Sequence, residues 1–233
     1  MRGGISEVIQ DPVRQWQSYV SRAGNLLVRD SLEATRLDNW DDAARERFYE
    51  KGEQQVATLQ ARIEAQTGRS LESCRALDFG CGAGRTALPL ARRCEYLYGL
   101  DVSQARLREA DRNAKRLNVS NVEWLEAEAL ADLSDQYDLV VSFWVFQHIA
   151  SREGERIFAT ILKGLRPGGV GAIHFALRPR FRGSGLSYLY MLTNSYSLHR
   201  LGRVLADEGI TEWHARWHTQ PVTDDVTIIF RKD

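Results

Sequence analysis

The chain has no surplus of either charge: 31 Lys and Arg stand against 31 Asp and Glu, a formal net charge of +0 over 233 residues. A protein that grips nucleic acid by its backbone usually carries a basic excess to neutralise phosphates, so DNA and RNA are disfavoured as partners. The opening, Met1-Arg2-Gly3-Gly4-Ile5-Ser6-Glu7, has no apolar run behind its positive charge and does not read as a secretory signal. No stretch is apolar for long enough to span a bilayer, so no membrane partner is expected. Cysteine is scarce. Cys74, Cys81 and Cys94 are odd in number and lack metal-ligand spacing; no metal site is expected, and they read as reduced thiols of a cytoplasmic protein. Repeats and low-complexity tracts are also missing.

What remains is an ordinary globular composition, 43% hydrophobic and 27% charged. Residues 1–70 read as a helical N-terminal cap. Val13, Trp16, Val20 and Ala23 form one helical stripe. Phe48, Val56, Leu59 and Ile63 form a second, between the capping candidates Asp41 and Asp42 and a stop at Gly68. Residues 71–233 alternate short apolar strands with amphipathic helices. Strands are expected over 76–79, 96–100, 122–125, 137–143, 170–175, 212–217 and 226–231. Helices are expected over 85–93, after the cap Ser103, around Ile157-Phe158-Ile161-Leu162-Leu165, and over 197–208. Residues 176 to about 195 read as irregular. Such alternation implies a wound, mostly parallel sheet with helices on both faces.

In open parallel sheets, ligands bind beyond the carboxyl ends of the strands. The first strand here runs into Asp78-Phe79-Gly80-Cys81-Gly82-Ala83-Gly84-Arg85. Glycines allow a tight turn and close backbone approach. A dinucleotide loop, G-x-G-x-x-G, cradles a negative pyrophosphate. Here the spacing is G-x-G-x-G, Arg85 stands where the third glycine would fall, and the carboxylate of Asp78 precedes the loop. That acid would repel pyrophosphate and favour a cation such as an amino-acid ammonium. S-adenosylmethionine carries an amino-acid tail, a sulfonium and no phosphate. Asp101 ends the second strand about 20 residues later, where an acid accepts the hydroxyls of an adenosine ribose; Val102 would lie against the adenine. Glu128 follows the third strand, where a carboxylate would accept the adenine amino group. Cys81 reads as a passive small residue.

Together these segments resemble the class I methyltransferase superfamily. Ala76 to Arg85 resembles its first motif and Leu100-Asp101-Val102-Ser103 its acidic motif. Tyr137 to Ile149 resembles strand four with its trailing segment, and Leu165-Arg166-Pro167-Gly168-Gly169 the turn before strand five. The resemblance implies an α/β, Rossmann-like, doubly wound, seven-stranded, mostly parallel sheet. Its last strand is antiparallel beside the fifth, and a helical N-terminal cap completes it. It also implies S-adenosyl-L-methionine as methyl donor, held by Asp78, Gly80, Gly82, Gly84, Arg85, Asp101, Val102, Glu128, Ala129 and the backbone of Phe143. The family's usual acid after strand three is aspartate. The longer Glu128 moves that contact or passes it to the backbone N–H of Ala129.

Methyl transfer from a sulfonium mainly needs alignment and exclusion of water. The segment after strand four faces the methyl in this family. It reads Ser142-Phe143-Trp144-Val145-Phe146-Gln147-His148, without the Asn/Asp-Pro-Pro-aromatic motif of base-amino methylation. His148 is the candidate base, since an imidazole ordinarily titrates near working pH. Asp138, at the far end of its strand, reads as structural. Arg178, Arg180, Arg182, Tyr188, Tyr190 and Tyr196, like Trp16, Tyr19 and Trp40, either line an acceptor pocket or serve structure. The leading expectation is methylation of a small molecule at oxygen or nitrogen. A non-catalytic scaffold that keeps the ligand, and an RNA or protein methyltransferase, are the rivals.

Overall fold

A computed structural model describes residues 41–179, 194–219 and 223–233. The stripe through Val13, Trp16, Val20 and Ala23, the residues Tyr19 and Trp40, and Arg180, Arg182, Tyr188 and Tyr190 lie outside the described residues.

Helix α1 (Asp42–Thr67) starts where Asp41 accepts the Ala44 N–H at 2.6 Å and stops where Gly68 turns left-handed at φ 67°. Such a cap satisfies an N–H that has no partner in the helix, and only glycine turns left-handed without strain. The chain then alternates through β1 (Arg75–Phe79), α2 (Ala87–Ala91), β2 (Tyr96–Asp101), α3 (Gln104–Arg116), β3 (Val122–Glu126) and β4 (Tyr137–Ser142). It continues through α4 (Ser151–Gly164), β5 (Leu165–Pro179), α5 (Leu198–Asp207), β6 (Trp213–Thr219) and β7 (Thr223–Arg231). The seven strands form one sheet in the order β3-β2-β1-β4-β5-β7-β6. β1 to β5 pair in parallel, and β7 enters antiparallel between β5 and β6. The wound sheet and its inserted last strand agree with the reading from sequence.

Side-chain alternation gives the sheet two apolar faces. Leu77, Val140, Ile173 and Ile228 face Phe158, Ile161, Leu201 and Leu205 of α4 and α5. Ala76, Leu139, Ala172 and Ile229 face Val56, Leu59 and Ile63 of α1 together with Leu88 and Leu107 of α2 and α3. Over Asp42–Thr67, therefore, the helical N-terminal part forms a layer of the sheet's own core.

Two elements differ from expectation. The helix expected over 85–93 is only Ala87–Ala91. The glycine turn runs on to Thr86, and the Asn121 amide draws the chain out early by donating to the carbonyls of Ala91 and Cys94 at 2.8 and 3.0 Å. Pro89 lies in the first turn, where its missing N–H costs nothing. β5 extends well past residues 170–175 at both ends, because Leu165 pairs with Tyr137 of β4 and β7 pairs with β5 as far as Pro179. Before Val170, Gly168 turns at φ 73° yet its N–H still reaches the Lys232 carbonyl at 2.8 Å. Asp138 sits at the amino edge, where it accepts the Arg75 N–H at 3.0 Å and pairs with Arg69 and Arg166. It is structural, as read.

Candidate active site

The carboxyl edge of the sheet carries the site. β1 ends beside β2, and the N–H groups of Gly80 and Cys81 both donate to the Leu100 carbonyl, at 2.7 and 2.9 Å. The chain then reverses through Gly80, Gly82 and Gly84, each at positive φ (79°, 56° and 91°). A β-carbon at Gly80 would fall 2.2 Å from a Val145 methyl, so the loop after β4 presses on the glycine turn. Gly82 is open enough that only the Arg106 guanidinium comes near, 3.5 Å from where a β-carbon would stand.

Asp101 anchors this turn. One carboxylate oxygen accepts the Gly82 N–H at 2.9 Å and the other the Ser103 N–H at 2.8 Å. Burial still pushes its pKa up against the pull of these bonds. Each carboxylate oxygen retains accepting capacity for a hydroxyl.

Asp78 contrasts with it. It is 3% exposed, and its Oδ2 has no hydrogen-bond partner among the described residues. Burial, then the nearby Asp101 carboxylate, push its pKa up to about 7, against the pull of the Arg85 guanidinium. A buried carboxylate oxygen left without a donor is costly in a folded protein. Here it lies directly before the glycine turn, where a cationic ligand group would satisfy it. Val102 is half-buried beside Asp101, and Glu128 and Ala129, also half-buried, open the 3-10 turn Ala127–Asp132 after β3. Phe143 packs on the α1 face of the core. The structure thus brings Asp78, Gly80, Gly82, Gly84, Arg85 and Asp101 into one cluster and sets Val102, Glu128, Ala129 and Phe143 on the same carboxyl edge.

His148 ends a short 3-10 turn (Phe146–His148), and its backbone N–H bonds the Val145 carbonyl at 2.9 Å. The expectation that it titrates near working pH is corrected. Burial first, and the Arg106 cation second, pull its pKa down to about 4. It therefore stands as a neutral imidazole. Arg106 is the residue that sequence reasoning missed. It is the third residue of α3, within electrostatic reach of Asp101, Cys81, Arg85 and His148, and no motif marked it. Cys81 is buried and its thiol is pushed far up by burial, which agrees with a passive role. Tyr196 is 3% exposed, and its hydroxyl reaches the Phe146 and Ile149 carbonyls at 2.9 and 2.8 Å. It pins the segment after β4 in place.

Comparison with known proteins finds likeness over this same span. A model described as a methyltransferase domain matches residues 76–169. The match is to a methyltransferase domain and covers less than half of this chain. That span runs from β1 through the glycine turn, Asp101 and His148 to Gly169. The chain is similar to curated relatives from Rhizobium leguminosarum bv. trifolii (strain WSM2304), 35% identical over 108 residues, and Sinorhizobium fredii (strain NBRC 101917 / NGR234), 29% identical over 150 residues. Both are named ubiquinone biosynthesis O-methyltransferase. The first match covers 46% of this chain and 42% of the relative, less than half its length. Among solved structures, magnesium protoporphyrin IX methyltransferase from Synechocystis PCC 6803 with bound SAH aligns at TM-score 0.63 and 19% identity, over 94% of both chains. A [4+2]-cyclase aligns at TM-score 0.59 and 19% identity, over 75% of this chain and 80% of the cyclase. At these identities the structures establish the fold and leave the chemistry open. Among the described residues, no helix is long and apolar enough to cross a membrane.

Proposed function

We propose that this protein transfers a methyl group from S-adenosyl-L-methionine to an oxygen or nitrogen of a small molecule, with S-adenosyl-L-homocysteine as product. The observation that carries the reading is the buried Asp78 carboxylate with its unpartnered Oδ2 at the mouth of the glycine turn. A phosphate-binding turn would not hold an acid there. Asp78, with Gly80, Gly82, Gly84 and Arg85, would hold the amino-acid end of the donor. Asp101 would take the ribose hydroxyls, Val102 and the backbone of Phe143 would flank the adenosine, and Glu128 and the Ala129 N–H would meet the adenine edge. The bound donor supplies an electrophilic methyl on a sulfonium. His148, neutral at working pH, would accept a hydrogen bond from the acceptor. Oxygen is the favoured atom, because the relatives are named O-methyltransferases.

We further propose that the N-terminal cap read over residues 1–70 closes over the acceptor. α1 supports this, since its Gly52 meets the glycine turn at Arg85. The three free thiols support a reducing, cytoplasmic location.

Titration calorimetry with S-adenosylhomocysteine tests the core of the reading. Binding is expected, and Asp101→Ala should weaken it at least tenfold. Absent binding, or unchanged binding in that variant, would sink it. Turnover against a panel of phenols, amines and carboxylates separates enzyme from scaffold.

A further inference from the structure

On the face of the sheet that α1 covers, the strands leave one polar group that the site described above does not use. His174 of β5 is 3% exposed and Asp225 of β7 is 1% exposed. Register brings them together: His174 pairs with Thr227, and Asp225 lies two residues before it on the same face. His174 Nε2 stands 3.5 Å from Asp225 Oδ2. Among the described residues, no hydrogen bond of good geometry satisfies that nitrogen or either oxygen of Asp225. His218, opposite Asp225 on β6, is committed elsewhere, with its Nε2 2.9 Å from the Thr227 hydroxyl.

The position of this pair ties it to the glycine turn. Phe79 and Ser142 end β1 and β4 at one level, joined by a 2.8 Å bond from the Ser142 hydroxyl to the Phe79 carbonyl. Ser142 pairs with Ile173, so His174 is level with Gly80 and Phe143, two strands over from the glycine turn. Neighbouring strands lie about 4.8 Å apart, which sets the separation along the edge at roughly 10 Å. A single loop touches both: Val145 presses on Gly80, and the adjacent Trp144 stacks on His174 with ring centroids 4.3 Å apart. Trp144 is 39% exposed and held at φ 64°, a region bulky side chains avoid.

Building on the methyl-transfer reading, we propose that His174, oriented by Asp225, is the base that takes the proton from a hydroxyl acceptor, and that Trp144 covers it until the acceptor enters. A carboxylate beside Nε2 selects the Nε2–H tautomer and leaves the lone pair on Nδ1. In the step, the acceptor O–H bond breaks, its electron pair stays on the oxygen, and an N–H bond forms at Nδ1. Asp225 supplies the countercharge of the imidazolium, which later releases its proton to water. His148 is a weak base for this work, because burial and then Arg106 pull its pKa down to about 4. Asp225 is a positioning residue: it acts on the acceptor only through His174.

Histidine ring NMR on the full chain saturated with S-adenosylhomocysteine, combined with turnover, tests the proposal. The probe is the hydroxyl acceptor that the wild type methylates from a panel headed by 3,4-dihydroxybenzoate. His174 should show the Nε2–H tautomer, shift when the probe is added, and lose the tautomer preference in Asp225→Asn, while the exposed His199 stays still. His174→Gln should lower kcat at least a hundredfold, with KM and the S-adenosylhomocysteine affinity within threefold. A thermal melt within a few degrees of wild type confirms that each variant folds. A His174 signal indifferent to the probe, a His174→Gln variant with wild-type kcat, or turnover of amines and carboxylates alone overturns the proposal. Failure to bind S-adenosylhomocysteine instead overturns the reading beneath it.

Discussion

At the residue scale, Asp78 gives the most direct handle on the ligand. Its carboxyl sits at about 7 where 3.8 is ordinary, so between those values the folded protein holds a proton that the unfolded chain has lost. Stability contributed by this group therefore falls as pH rises from about 4 to 7. The charged form above that range costs on the order of 4 kcal/mol, at about 1.4 kcal/mol per unit. A ligand cation reverses the preference and drives the proton off. S-adenosylhomocysteine affinity should rise about tenfold per pH unit toward pH 7 and then level. Binding at pH 6 should release close to one proton, read from calorimetric enthalpies in two buffers of different ionisation heat. Asp78→Asn should abolish both the release and the slope. A slope that survives in Asp78→Asn would assign it to another group.

At the scale of elements, the segment after β4 holds its shape through one side chain. Tyr196 shares its hydroxyl between the carbonyls of Phe146 and Ile149, and its ring lies 5.2 Å from that of Phe175. Tyr196→Phe takes the hydroxyl donor from the Ile149 carbonyl, while the Phe146 carbonyl keeps the Ile149 N–H, a loss of about 1–3 kcal/mol. For a chain of this size, that lowers Tm by on the order of 5 °C. Because the same segment carries Val145 against Gly80, turnover should fall along with Tm. Differential scanning calorimetry and the acceptor assay on one preparation check both. Neither role was legible in the sequence, where Tyr196 stood in a stretch that read as irregular. The strands were legible, because an apolar run ending in glycine or an acid states both its type and its end. The glycine turn and Asp101 were legible for the same reason. His174 and Asp225 are 51 positions apart and meet only through the antiparallel register of β5 and β7, which no local pattern encodes. The acidity of His148 is not legible locally, because its burial and the approach of Arg106 from α3 both arise from the fold.

At the scale of the whole molecule, the question is whether α1 is an accessory or part of the binding machinery. Its Val56, Leu59 and Ile63 share a core with Leu88, Leu139 and Ile229, and at Gly52 it meets the glycine turn. A β-carbon at Gly52 would stand 2.0 Å from the Arg85 carbonyl oxygen. That neighbour is backbone and cannot swing aside, so helix and turn would have to separate. This fixes the sign of an otherwise ordinary substitution. Glycine inside a helix normally costs about 1 kcal/mol relative to alanine, so Gly52→Ala at an indifferent position would stabilise the protein. Here it should destabilise, by about 1–3 kcal/mol as overpacking does. It should also weaken S-adenosylhomocysteine binding severalfold, because Arg85 and the turn that precedes it are displaced together. A raised Tm with unchanged binding would show that α1 only covers the sheet. A lowered Tm with weakened binding makes α1 the element through which the N-terminal part of the chain is coupled to the ligand turn.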